Sequence, residues 1–178
     1  HGGSRWNEIN RKWTVEGHQV TVIAGMMHYT SSQKRKEYKG KWFKKKTQGA
    51  VEIMRCHVSE SYNTNFVGRL WAYFSFVFSS CWAGLFKVKG KYDVIIVTSP
   101  PLFVGISGYL ISLFKRTPYV FEIRDLWPES AIDTGVVTNK FIIKLAYELE
   151  KFIYKKATLI NVLTPAFRDA LIQKKGIV

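Results

Sequence analysis

The sequence predicts an α/β domain of three layers, with helices on both faces of a mainly parallel sheet, and three observations carry that prediction. Apolar runs of strand length alternate with longer stretches of helical periodicity along the chain. The run Val94-Ile95-Ile96-Val97 has no polar member, as a strand buried on both faces requires. A further apolar segment, Tyr119 to Ile123, ends abruptly in a charged cluster of Arg124, Asp125 and Glu129. In open parallel sheets the crevice beyond the strand carboxyl ends is where ligands bind, so this cluster is the first candidate site. A plainer alternative is a surface turn in which Arg124 and Asp125 only pair with each other.

Each element follows from local pattern. Trp6, Ile9 and Trp13 recur at near-helical spacing, so residues 4–16 read as a helix that Gly17 stops. Residues 19–24 read as a strand, the next stretch as a basic and aromatic loop, and residues 50–54 as a second short strand. Residues 66–86 form a long helix lying against the sheet, and residues 92–98 the buried strand. A helix over 101–114, with Pro101 at its first position, leads to the strand 119–123. A helix from about 138 to 155, a strand over 158–163 and a helix over 165–174 that stops at Gly176 complete the order. Such alternation implies parallel pairing through right-handed crossovers. Gly2 and Gly3 open a helix where a preceding strand normally delivers backbone N–H groups to an anion. Either the first, central strand is missing from this chain or the two glycines carry less meaning.

The 178 residues suit one domain, residues 1–178, and a hydrophobic fraction of 47% excludes a disordered chain. A net charge of +14 calls for an anionic partner: nucleic acid, phosphate-bearing ligand or an acidic membrane face. Much of it lies in one segment, where Lys34, Arg35, Lys36, Lys44, Lys45 and Lys46 are interleaved with Tyr38, Trp42 and Phe43. Cations among interfacial aromatics suit a lipid headgroup layer; a solvated insertion is the other reading. Cys56 and Cys81 show no metal-ligand spacing and read as reduced thiols of a cytosolic protein. The uncharged stretches 70–86 and 102–114 fall short of the roughly 20 apolar residues of a spanning helix.

Taken in order, Gly2-Gly3, then Gly17-His18-Gln19-Val20-Thr21-Val22-Ile23, then Tyr92-Asp93-Val94-Ile95-Ile96-Val97-Thr98-Ser99-Pro100-Pro101, then Phe121-Glu122-Ile123-Arg124-Asp125-Leu126-Trp127-Pro128-Glu129 form a recognisable series. Leu163-Thr164-Pro165 continues it. The chain resembles the amino-terminal domain of family 4 retaining glycosyltransferases. It is most similar to bacterial enzymes of surface-polysaccharide synthesis, N-acetylfucosaminyl transferases among them. The resemblance implies a GT-B enzyme of two Rossmann-like domains, the first holding acceptor and the second holding the nucleotide-sugar donor. That donor domain, with the family's glutamate pair eight positions apart, is expected to lie outside this chain. Glu52 and Glu60 match the spacing by coincidence.

The resemblance also implies roles. Asp125, Glu129 and Arg124 become the candidate catalytic residues. Arg124 stands where many relatives have histidine; arginine cannot act as a base, so it binds phosphate or orients Asp125, while Glu129 serves the acceptor side. Gly2, Gly3, Ser99, Pro100 and Arg124 are the expected donor- and acceptor-binding set, with Ser99 more naturally a helix cap. Trp127 is expected to pack and hold the charged loop, and His18 to be structural. No metal, cofactor or general base is implied beyond the nucleotide sugar as co-substrate, because retention in the family is attributed to front-face chemistry. The acceptor is expected to be a saccharide, polyprenyl-linked, at the inner face of the cytoplasmic membrane. Lys34, Arg35, Lys36, Lys44, Lys45, Lys46, Trp42 and Trp71 are the expected membrane-facing residues, so the protein is expected to be cytoplasmic and peripheral, and inactive without the donor domain. A basic module that binds membrane or nucleic acid without catalysis is the competing reading, although no nucleic-acid motif is present. A nicotinamide oxidoreductase is disfavoured, since the strand ending Ile23-Ala24-Gly25-Met26 has no closing acidic residue.

Overall fold

In the computed structural model, residues 5–27 and 34–177 are described. The fold is α/β and Rossmann-like, in two compact units, His1–Lys89 and Gly90–Val178. In place of one continuous sheet, each unit carries its own three-stranded sheet. Strands β1 (Thr21–Gly25) and β4 (Ile95–Thr98) are edge strands, each paired on one side only among the described residues.

In the first unit, helix α1 (Arg5–Val15) is closed by Gly17 at φ 91°, a backbone state open chiefly to glycine. Strands β2 (Phe43–Gln48) and β3 (Val51–Cys56) form an antiparallel hairpin, and β1 pairs with β3 in parallel, giving the order β1-β3-β2. Strand β2 lies inside the stretch expected to be a loop. Its lysines occupy both faces and hide the period-two signal, yet lysine is a usual residue of an edge strand, where its charge discourages pairing with other chains. Helix α2 (Phe66–Trp82) starts with Asn65 Oδ1 accepting from Gly68 N at 2.7 Å and runs on into a wider π turn, Ala83–Lys87. Met54, Cys56 and Ala83 are the buried centre here, with Ile23, Phe43, Phe76 and Val88 packed around them.

The second unit follows the predicted order closely. Helix α3 (Val104–Lys115) joins β4 to β5 (Tyr119–Ile123), and β6 (Leu159–Val162) completes a fully parallel sheet of order β4-β5-β6. Helix α3 begins later than expected, because residues 101–103 form a turn that Val104 N closes on Pro101 O at 3.3 Å. A short helix not foreseen, α4 (Glu129–Asp133), follows β5; then come α5 (Lys140–Lys156) and α6 (Pro165–Lys175). Gly105 and Gly108 let α3 approach its neighbours: a Cβ at Gly108 would lie 2.4 Å from Val97 Cγ2, and one at Gly105 2.6 Å from Ile153 Cγ2. Tyr119, Phe121 and Ile123 make β5 the buried middle strand, and the Tyr119 hydroxyl donates to Ile153 O at 2.8 Å. Helix α6 starts with Thr164 Oγ1 accepting from Phe167 N and ends at Gly176, φ 62°.

Candidate functional site

The carboxyl end of β5 carries the predicted cluster, and packing of the preceding residues explains why its charges emerge there. Phe121, Glu122 and Ile123 are buried, so the first residue free of the sheet, Arg124, is exposed. Arg124 makes no ion pair with Asp125 or any other described residue, which removes the plain arginine–aspartate pair as an account of this loop. Asp125 is half-buried and accepts from Ser130 Oγ at 2.8 Å, while its carbonyl accepts from Trp127 N at 3.1 Å. The loop thus holds one carboxylate in place beside a guanidinium that stays available to an anion. Trp127 packs edge-on against Phe103, with ring centroids 5.5 Å apart, and Pro128 is buried, so the apolar members of the loop anchor its charged members.

Glu129 stands differently from its two neighbours. Its carboxylate takes an ion pair from Lys175 at 2.9 Å, and the same ammonium contacts Glu150, which is buried. The Lys175 ammonium also lies over the rings of Tyr147 and Tyr154, at 5.8 and 6.0 Å. Burial pushes the Glu150 carboxyl above the ordinary carboxylate value, and the lysine beside it only partly offsets this. The same burial, with Glu150 alongside, pushes the Tyr154 phenol up as well. Glu129 therefore ties the start of α4 to α5 and α6.

Behind the tip, Thr98, Glu122 and Asn161 are register partners across β4, β5 and β6. Thr98 Oγ1 donates to Glu122 Oε1 at 2.8 Å and Asn161 Nδ2 donates to Glu122 Oε2 at 3.2 Å, so a buried carboxylate is hydrogen-bonded from both neighbouring strands. Ser99, also buried, donates its hydroxyl to Glu122 O at 3.2 Å, and α3 has no side-chain cap. The expected capping role thus gives way to joining β4 and β5. Pro100 is exposed next to it. Gly2 and Gly3 lie outside the described residues.

Sequence reading passed over Glu122, Glu150 and Lys175. A signal existed for two of them. Glu122 interrupts an apolar strand, and Glu150 falls on the buried stripe of α5 with Ala146 and Ile153. A charged residue at either kind of position must find partners.

The residues expected to face a membrane divide into four kinds. Lys44 and Lys46 pair with Glu37, at 3.2 and 2.7 Å, and lie over the buried ring of Tyr38; Lys45 pairs with Glu52 at 2.7 Å. The two ammonium groups hold the Glu37 carboxyl down at about 2. Arg35 and Lys36 are exposed, whereas Lys34 and Trp42 contact His57. Trp71 belongs to a row on α2 and the turn beyond it: Val67, Trp71, Phe74, Phe78, Trp82 and Phe86, spaced three or four residues apart and all exposed. No described helix is long and apolar enough to cross a membrane, and no described group of three or more His, Cys, Asp or Glu side chains is arranged to hold a metal.

Compared with known proteins, the chain matches the family described as a glycosyl transferase 4-like domain over residues 2–178. No curated protein matches it.

Proposed function

Because the chain belongs to the family of glycosyl transferase 4-like domains, we propose that it holds the acceptor in an enzyme that moves a sugar from a nucleotide sugar onto a saccharide, with retention of configuration. The observation that carries this reading is the tip of β5, where an exposed Arg124 without an ion-pair partner among the described residues adjoins an Asp125 fixed by Ser130. Sugar transfer from a nucleotide donor expels a diphosphate, and negative charge grows on it as the glycosidic bond breaks. A guanidinium meets that charge with a bidentate fork. A fixed carboxylate orients a sugar hydroxyl, so that the acceptor meets the anomeric carbon in line. Donor binding is assigned to a second domain, and the isolated chain is expected to be inactive.

The substrate class we favour is a polyprenyl-linked saccharide of bacterial surface-polysaccharide synthesis, approached at the inner face of the cytoplasmic membrane. The exposed aromatic row on α2 supports a bilayer contact, since Trp and Phe on an uncharged helix face suit the boundary of the headgroup layer. Lys44, Lys45 and Lys46, being ion-paired, add less to it than the sequence suggested.

The decisive experiment joins this chain to its donor domain and supplies nucleotide sugars with a polyprenyl-diphosphate saccharide. Transfer is expected, and Arg124→Ala is expected to lower kcat by about a hundredfold, the usual loss when one donor to a developing anion is removed. Absence of transfer from every nucleotide sugar, or full activity in Arg124→Ala, would refute the assignment.

A further inference from the structure

The first unit has its own strand carboxyl edge. Strands β1 and β3 run parallel and end together at Gly25 and Cys56, so His57 is the first residue past that edge. We propose that Trp42, His57, Lys34 and Glu60 form a subsite for a sugar ring carrying a phosphate or diphosphate group. The proposal rests on the acceptor reading above and places the phosphorylated end of that acceptor on this unit.

The imidazole of His57 is the fixed part. An ammonium can only donate, so the 3.1 Å contact between Lys34 Nζ and His57 Nδ1 makes Nδ1 an acceptor and leaves the ring neutral. Burial and the charge of Lys34 both lower the His57 pKa, in agreement with that protonation state. The backbone is held as well, since His57 O accepts from Ser79 Oγ at 2.6 Å. Upon this floor lies the indole of Trp42, with centroids 4.9 Å apart and planes 20° apart, and His57 N donates to Trp42 O at 2.9 Å. One indole face is thus covered, yet Trp42 remains 55% exposed. A flat, rigid and open aromatic face of this kind suits a sugar, whose ring C–H bonds present slight positive charge to the negative π face.

The charges beside it fit the rest of the ligand. Lys34 is half-buried and has no carboxylate within ion-pair distance among the described residues; burial lowers its pKa, and the charge of nearby Glu60 offsets this only in part. Lys44, Lys45 and Lys46 of the same basic stretch are all paired with carboxylates. Lys34, which Glu60 influences without a direct ion pair, therefore keeps attraction for an anion, and a phosphate there would offset the desolvation it already bears. Glu60 is exposed and its Oε1 accepts from Lys34 N at 2.9 Å, which leaves its other oxygen for sugar hydroxyls.

The test titrates the 178-residue chain with N-acetylglucosamine 1-phosphate, N-acetylglucosamine, inorganic phosphate and phosphatidylglycerol vesicles. The NMR signals of the His57 ring and the Trp42 indole are followed. Saturable shifts are expected with the sugar phosphate, at a Kd on the order of 1 mM, and at least about tenfold weaker binding of either half alone. Lys34→Gln and Trp42→Ala are expected to weaken binding about tenfold, and Trp42→Phe, which keeps an aromatic face, about threefold or less. Equal response to inorganic phosphate and sugar phosphate, indifference to Lys34→Gln, or shifts with vesicles alone would overturn the proposal. If the joined enzyme transfers sugar but His57 and Trp42 never respond, the subsite is wrong and the transferase reading stands. Binding here without transfer by any joined enzyme rejects the transferase reading instead.

Discussion

Replacing Lys175 by Met tests how the charged loop is held. Lys175 is the ammonium between Glu129 and Glu150, and its side chain is only 12% exposed, against 4% for that of Glu150. Methionine keeps the volume of the lysine stem but leaves two carboxylates facing each other, one of them buried. Breaking a buried pair by removing one partner costs about 3–5 kcal/mol, because the remaining charge is left uncompensated. The loss should depend on pH, with a definite sign. Glu150 already titrates above the ordinary 4.5 when folded, because burial outweighs its lysine. A carboxyl whose folded pKa is raised binds its proton more readily in the native state. Its contribution is therefore most favourable below the unfolded value and declines as pH rises through the folded one. Without Lys175 the folded pKa climbs further, and each added unit is about 1.4 kcal/mol lost at high pH. Urea midpoints at pH 5 and pH 8 should show Lys175→Met far more destabilising at pH 8, with Glu150→Gln in the same chain recovering much of the difference. Equal losses at the two pH values would refute the placement of Glu150 as a buried, lysine-compensated carboxylate.

Other outcomes follow from packing and exposure. Gly108→Ala gains about 1 kcal/mol of helix propensity but sets a Cβ 2.4 Å from Val97 Cγ2. Overpacking of about 1–3 kcal/mol should win, so the urea midpoint should fall, and Val97→Ala should be less than additive with it. Burial raises the Cys56 thiol to about 12 and the Cys81 thiol to about 11, so a thiol reagent at pH 8 should react with each far more slowly in the folded than in the unfolded chain. Trp71→Ser with Phe78→Ser should reduce binding to anionic vesicles at least about tenfold while leaving stability within about 0.5 kcal/mol of the parent at each site. Unchanged vesicle binding would remove the aromatic row from the membrane reading.

Most of the order of elements is local information and is legible along the chain. Gly17 and Gly176 mark helix ends, Thr164 and Pro165 mark a start, and the apolar run before Arg124 defines β5, because caps and periodicity act within a few residues. The tip of β5 as a polar edge was legible for the same reason. Which charges remain available there is set by packing between distant parts of the chain. Glu129 is bound by a lysine 46 residues away, and Glu122 is held from positions 24 and 39 residues away, contacts set by strand register and helix docking. The basic stretch divides in the same manner. Its composition gives no means of telling Lys44, Lys45 and Lys46, paired with Glu37 and Glu52, from Lys34, whose ammonium meets an imidazole. Charge is a property of the residue, whereas its compensation depends on what the fold brings within a few ångströms of it.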